Sequence, residues 1–201
     1  MDLNWQKDSK YKNKHYSWKN HQIFNNKLLF LHIWKTGGSS IKTFFHGFEK
    51  SKTPSHQMCY QIIDEIGIEN YKKFVTFTVV RNPYDRIVSL YFYRKQLCKN
   101  IDCSFEDFLK SGKFKKHPPM YYHITYNGDV LCKYILKLEN IKEDLKNMLK
   151  EEKIDKSVEH FPKVRESIHD NYLEYYKDRE LIDIVNQYHR KDFELFGYQT
   201  I

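Results

Sequence analysis

Glycine and proline are scarce in this chain, seven and five among 201 residues. That scarcity excludes a collagen-like or low-complexity protein. There are four cysteines, Cys59, Cys98, Cys103 and Cys132, with no C-x-x-C pair and no zinc spacing. A disulfide scaffold and a structural zinc site are therefore not expected, and free thiols are. No run of about 18 apolar residues occurs, so no transmembrane helix is expected. The opening stretch, MDLNWQKDSKYKNKHYSWKNHQ, carries no apolar core of a secretory signal, so a cytoplasmic protein is the expectation.

Hydrophobic residues make up 40%, charged residues 30% and aromatic residues 16%. The chain is long enough for one domain, and its core should be rich in Tyr and Phe. The net charge of +8 favours anionic partners: nucleotides, acidic glycans, nucleic acid or anionic membranes. Charge alone does not choose among them.

Residues 1–26 are polar and basic without periodicity and read as a lead-in to a single domain over 27–201. Lys27–Trp34 is a short apolar run and predicts a buried strand. Ser39–Phe48 predicts a helix with Ile41, Phe44, Phe45 and Phe48 on one face. Pro54–Ile66 predicts another helix. The β-branched and aromatic run Phe74–Val80 predicts a second central strand. A helix is expected from Tyr84 to about Cys98, and a short one, capped by Ser104, over Phe105–Lys110. Lys113–Asn127 reads as loop, Val130–Leu138 as strand, Ile141 to about Glu152 as helix, and Ile154–Asp170 as irregular. Asp178–Phe196 reads as one closing helix. Strands alternating with helices give an α/β class with a parallel sheet covered on both faces.

The stretch LLFLHIWKTGGSSIKTFF, Leu28 to Phe45, leaves a strand for a helix through a lysine and two glycines. Such a loop is an anion site. Glycines let backbone N–H groups turn inward, and the helix N-terminus adds partial positive charge. Lys35 adds a full charge, and Ser39 and Ser40 add hydroxyl donors. The order differs from the nucleotide-binding pattern G-x-x-x-x-G-K-[ST], since the lysine precedes the glycines. A second stretch, FTVVRNPYDRIVSLYFY, also leaves a strand for a helix. Arg81 stands at the strand's end, where its guanidinium can fork onto a phosphate. Ser89 lies about two helical turns further on and can reach the same anion. Asp85 and Arg86 are expected to hold the turn by ion pairing.

HIWKTGGSS and VVRNPYDRIVSLY resemble the two signature motifs of the PAPS-dependent carbohydrate sulfotransferases, the family that contains heparan 2-O-sulfotransferase. SFEDFL, KLENI and YHRKDFELFGY resemble later segments, so the likeness runs from about Leu28 onward. It implies a P-loop-like three-layer α/β fold with a central parallel sheet flanked by helices. It also implies that Lys35, Thr36, Gly37, Gly38, Ser39 and Ser40 hold the 5′-phosphosulfate of PAPS (3′-phosphoadenosine 5′-phosphosulfate), and that Arg81 and Ser89 hold its 3′-phosphate. HFPKVRESIHD resembles the loop that folds over the nucleotide, which brings in Arg165 and Ser167. Trp34 departs from the family's proline before the motif lysine.

Sulfuryl transfer needs positioning and electrostatics, with charge building on the leaving oxygen beside Lys35. No metal is expected. The acceptor hydroxyl needs a base, and His56, in PSHQMCY, is the candidate; related enzymes place a catalytic histidine in a comparable segment. Other branches of the family use a glutamate as base, which would point to Glu49, but that residue reads as a solvated charge at a helix end. His32 reads as a packed core residue and His117 as a solvated loop residue. The expected acceptor is a hydroxyl, most naturally on a glycan, with a small alcohol, lipid or tyrosine as alternatives. A basic nucleic-acid-binding module, suggested by DSKYKNKHYSWKN, and a P-loop-type kinase are competing classes. The lysine-first loop order opposes the kinase.

Overall fold

A computed structural model of the chain describes residues 23–24, 27–47, 56–98, 102–164 and 167–201. Four strands form the main sheet: β1 (Ile23–Phe24), β2 (Leu28–Leu31), β3 (Val75–Val80) and β6 (Tyr134–Lys137), in the order β1-β2-β3-β6. β2, β3 and β6 run parallel and β1 closes the edge antiparallel. Between them, β4 (Thr125–Tyr126) and β5 (Asp129–Val130) form a separate hairpin. Its tip, Asn127–Gly128, has positive φ at both residues, as the tight two-residue hairpin turn demands.

The sheet is buried on both faces because successive side chains alternate. Leu28, Phe30, Phe77, Val79 and Leu136 pack with helices α1 (Gly38–His46) and α6 (Ile141–Glu151). Leu29, Leu31 and Val80 pack on the other side with α2 (Cys59–Ile66), α3 (Ile68–Tyr71) and the turn carrying Met120 and Ile124. The result is three layers with a parallel centre, the α/β class expected from the sequence. A third core lies off the sheet. There α4 (Pro83–Phe92) packs against α5 (Phe105–Lys110) and α7 (Arg179–Tyr188) through Tyr84, Tyr91, Phe108 and Val185. Local chemistry starts these helices: Pro83 fills the first helical position of α4, Asn82 accepts from the Tyr84 N–H, and Ser104 caps α5 by accepting from the Asp107 N–H.

The structure departs from the sequence reading in several places; the helix read from Pro54 begins only at Cys59, behind an extended Met58. Ile23–Phe24 is a paired strand, so regular structure begins before residue 27. Val130–Leu138 is not one strand: Val130 belongs to the hairpin and only Tyr134–Lys137 joins the sheet. The closing helix is broken at His189 into α7 and α8 (Arg190–Phe196). The cause is a buried pair, His189 Nδ1 to Asp192 Oδ2 at 2.7 Å, with Asp192 also accepting the N–H groups of Met120 and Tyr121. Consequently Phe196 packs on the sheet side while Phe193 packs against Tyr84 in the helical core. Lastly, Lys113–Asn127 is folded into two 3-10 turns and a strand. The four cysteines are free thiols.

Candidate active site

The carboxyl ends of β2 and β3 lie side by side, paired as far as Leu31 with Thr78. Open α/β sheets bind ligands at such ends. Here they open into a cleft of about 630 Å³, a volume suited to one small-molecule ligand.

The chain leaves β2 through His32 and Ile33 and turns over Trp34–Gly37 into α1. Lys35 takes a left-handed backbone, φ 63°, a conformation that costs a non-glycine residue roughly 1–2 kcal/mol. Gly37 is also left-handed, and a Cβ there would meet Leu138 Cδ1 at 2.6 Å. A Cβ on Gly38 would lie 1.9 Å from the His32 ring. The two glycines therefore answer two separate needs: one conformational, one for close packing. No side chain caps α1 and no acidic residue stands in its first turn, so its N-terminus presents N–H groups and positive potential to the cleft. The Lys35 ammonium rests 4.3 Å over the Tyr93 ring. Tyr93 begins the π-helical turn Tyr93–Leu97 that extends α4.

Across the cleft, Arg81 Nε donates to Asp85 Oδ2 at 2.7 Å and Nη1 to the Lys35 carbonyl at 3.4 Å. A guanidinium carries five N–H donors, so three remain beyond these two contacts. Ser89 and Ser167, both buried, share a hydrogen bond of 2.9 Å between hydroxyls. Two hydroxyls have two protons; one is used between them, and the other is left to donate. Ser40 Oγ accepts from the Val164 N–H at 3.0 Å, and Gln96 donates to the Ile168 carbonyl at 2.9 Å. These contacts fasten the late loop onto the cleft's edge.

One wall is a ladder of rings: His32 to His56 at 4.1 Å, His56 to Trp34 at 4.1 Å with 28° between planes, and Trp34 to His117 at 4.9 Å. His56 Nδ1 lies 3.3 Å from the His32 carbonyl oxygen. As donor there, Nδ1 carries the proton and the neutral ring keeps its lone pair on Nε2. Burial is the main reason that the His56 pKa falls to about 3; the His32 carbonyl opposes the fall, and the charges of Lys42 and His117 add to it. His117 falls to about 3 for the same first reason, with Arg86 next. Both rings are neutral at pH 7.

The cleft gathers Lys35, Gly37, Gly38, Ser39, Ser40, His56, Arg81, Ser89 and Ser167. Thr36 is not among its lining residues: its side chain is fully buried and its hydroxyl donates to the Ile33 carbonyl at 3.0 Å, closing the turn. Arg165 and Glu49 lie outside the described residues, as do Phe48 and Pro54 at helix ends read from the sequence. Asp85 pairs with Arg81, but Arg86 makes no ion pair in that turn. It is buried and donates to the carbonyls of Trp34 and Pro118. His117 is not solvated; it is half-buried against Trp34. His32 is packed, as read, yet it also lines the cleft. Sequence reasoning missed Lys42 and Tyr93 as lining residues. Both were legible by helical spacing, Lys42 four residues after Gly38 and Tyr93 four after Ser89. Among the described residues no group of three or more His, Cys, Asp or Glu is placed to hold a metal, and no helix is long and apolar enough to cross a membrane.

No solved structure matches the chain significantly. An uncharacterized protein of Archaeoglobus fulgidus is 30% identical over 115 residues, which are 56% of this chain and 94% of that protein. The sequence model of the sulfotransferase family matches residues 23–199, a span running from the edge strand β1 to past α8 and enclosing both the Lys35–Ser40 loop and the Arg81 strand end. With nearly its whole described fold inside that match, the chain belongs to the sulfotransferase family.

Proposed function

We propose that the chain moves a sulfuryl group from PAPS to a hydroxyl on a carbohydrate by in-line displacement. The observation that carries this is one cleft walled by the Lys35–Ser40 loop and by Arg81, Ser89 and Ser167, with five Lys and Arg residues and no Asp or Glu among the described residues that line it. A doubly phosphorylated nucleotide needs two anion sites on one cleft, and Arg81 reaches the Lys35 carbonyl. The donor residues fit it: an uncapped helix N-terminus at one site, a guanidinium with spare N–H groups and a spare hydroxyl proton at the other.

When bound, PAPS supplies the sulfuryl group and departs as PAP (3′-phosphoadenosine 5′-phosphate). Lys35, braced by Tyr93, neutralises charge on the departing oxygen. The backbone N–H groups at Gly37 and Gly38 and the Ser39 hydroxyl hold the 5′-phosphate oxygens. Ser40 assists there while anchoring Val164, and Thr36 keeps the turn's shape. Arg81, Ser89 and Ser167 hold the 3′-phosphate, with Arg165 as a further ligand from the same loop. His56 Nε2 takes the proton of the acceptor hydroxyl. Negative charge on the bound nucleotide raises the basicity of this imidazole from its depressed value. The rings of His32, Trp34 and His56, which line the cleft together, give it an aromatic, partly polar side suited to a sugar. Calorimetric titration with PAP, followed by sulfuryl transfer from radiolabelled PAPS to saccharide, phenol, lipid and peptide acceptors, tests the reading. Absence of PAP binding would overturn it. Transfer only to non-sugar acceptors would move the acceptor class and leave the reaction standing.

A further inference from the structure

We propose that Trp34 is a positioning residue for His56: its indole clamps the imidazole against His32 and shuts water away from it. This rests on the reading of His56 as base and goes beyond it, because it asks no phosphate contact of the Trp34 side chain.

Three observations converge. The indole lies nearly parallel to the imidazole at 4.1 Å and 28°, with His32 at 4.1 Å on the imidazole's other contact. The ring is thus held from two directions as well as by its Nδ1 contact to the His32 carbonyl. Second, the backbone of Trp34 is itself fixed. Arg86 Nε donates to the Trp34 carbonyl at 3.0 Å, and both terminal nitrogens donate to the Pro118 carbonyl at 3.0 Å. One buried guanidinium thereby straps the Trp34 turn to the loop bearing His117, whose ring meets the indole at 4.9 Å. Third, Trp34 directly precedes Lys35, so the group that holds the base and the group that meets the leaving oxygen share one rigid turn. A shift of about 1 Å in such a group can cost roughly a hundredfold in rate.

The titratable and charged groups around His56 are His32 from the end of β2, Lys42 from α1, and His117 and His123 from the 113–124 segment. Lys42 and His117 oppose a charge on the ring, the His32 carbonyl favours it, and burial opposes it most. Removing the indole admits water without removing those charges. The His56 titration should then move up toward the ordinary range of about 6.5, stopping short of it.

The experiment combines Trp34→Ala and Trp34→Phe with three readouts: steady-state kinetics, PAP titration, and NMR titration of the His56 ring protons. For Trp34→Ala the expected result is a kcat lower by about a hundredfold, PAP affinity within about twofold, and a His56 midpoint moved upward, with the acid limb of kcat following it. Trp34→Phe keeps a flat face and should restore most of both. Should Trp34→Ala not fold, Trp34→Leu fills the volume without a stacking face and carries the same expectations. An unmoved His56 midpoint, or PAP affinity lost in step with kcat, would overturn the proposal. The base reading fails separately: His56→Ala with normal turnover rejects it, while the NMR midpoint still decides whether Trp34 holds the ring.

Discussion

Two charged clusters stand at different places on the same sheet, and they are built on opposite principles. Glu152 follows α6 and is largely buried. Lys27 lies 2.5 Å and Lys133 2.7 Å from its carboxylate, and the Tyr134 hydroxyl donates at 2.8 Å. Those partners, Lys133 foremost, hold its pKa down to about 2. The cleft at the carboxyl ends of β2 and β3 gathers cations along its lining, with no carboxylate among the described residues there, beside a left-handed lysine and a π-helical turn. The first cluster is complete within the chain and serves stability. The second holds no such complement among the described residues, as the proposed anionic ligand requires, and its backbone accepts strain of the kind that concentrates at functional sites.

Breaking the cleft should cost activity far more than stability. Lys35→Ala should lower kcat by about a thousandfold with little change in thermal midpoint, read by radiolabelled transfer and calorimetry. A normal turnover would remove the lysine from the leaving-group role. His56→Ala should lower kcat by about a hundredfold or more while PAP affinity stays, and weakened PAP binding with unchanged turnover would reassign the ring. Gly38→Ala should weaken PAP by tenfold or more, on the order of 1.4 kcal/mol, because the new Cβ drives the His32 ring aside.

Ligand linkage sharpens the contrast. PAP at about a hundred times its Kd should stabilise the wild-type fold by about 2.7 kcal/mol. Arg81→Glu should abolish that increment. Glu152→Gln should keep it, while lowering the basal stability by about 1–3 kcal/mol.

The smallest effect is in pH. The depressed Glu152 pKa contributes stability that is complete above the ordinary carboxylate range and is lost as pH falls through about 2. His56 and His117 act over a higher window. Their folded pKa values are near 3, so the unfolded chain binds more protons between about 3 and 6.5, and stability declines as pH falls through that interval. Thermal midpoints measured from pH 8 to pH 4 should fall below about pH 6.5. The fall should be smaller in His117→Phe, and an unchanged slope in that variant would show that the ring is not held neutral.

The reading of the sequence went furthest where local chemistry governs. Lys35, Gly37, Gly38, Arg81 and Ser89 were legible because each loop leaves a buried strand for a helix, and strand ends of a parallel sheet meet on one side. It stopped where partners are distant in the chain. The break at His189 follows from Asp192 accepting backbone donors at Met120 and Tyr121, some seventy residues away. Arg86 looked like a turn residue and instead serves carbonyls at Trp34 and Pro118. The Asn127–Gly128 turn, by contrast, was written locally and passed over.

The order of residues by itself determined an α/β chain in which a Lys-Gly-Gly turn and an Arg-bearing turn each lead from a strand into a helix, since apolar alternation, glycine placement and helix caps act over a few neighbours. Only the tertiary structure decided that Thr36 turns inward, that Lys42 and Tyr93 join the cleft, and that His56 stands between His32 and Trp34. Those outcomes depend on which surfaces exclude water together, and burial of that kind is a property of the packed whole.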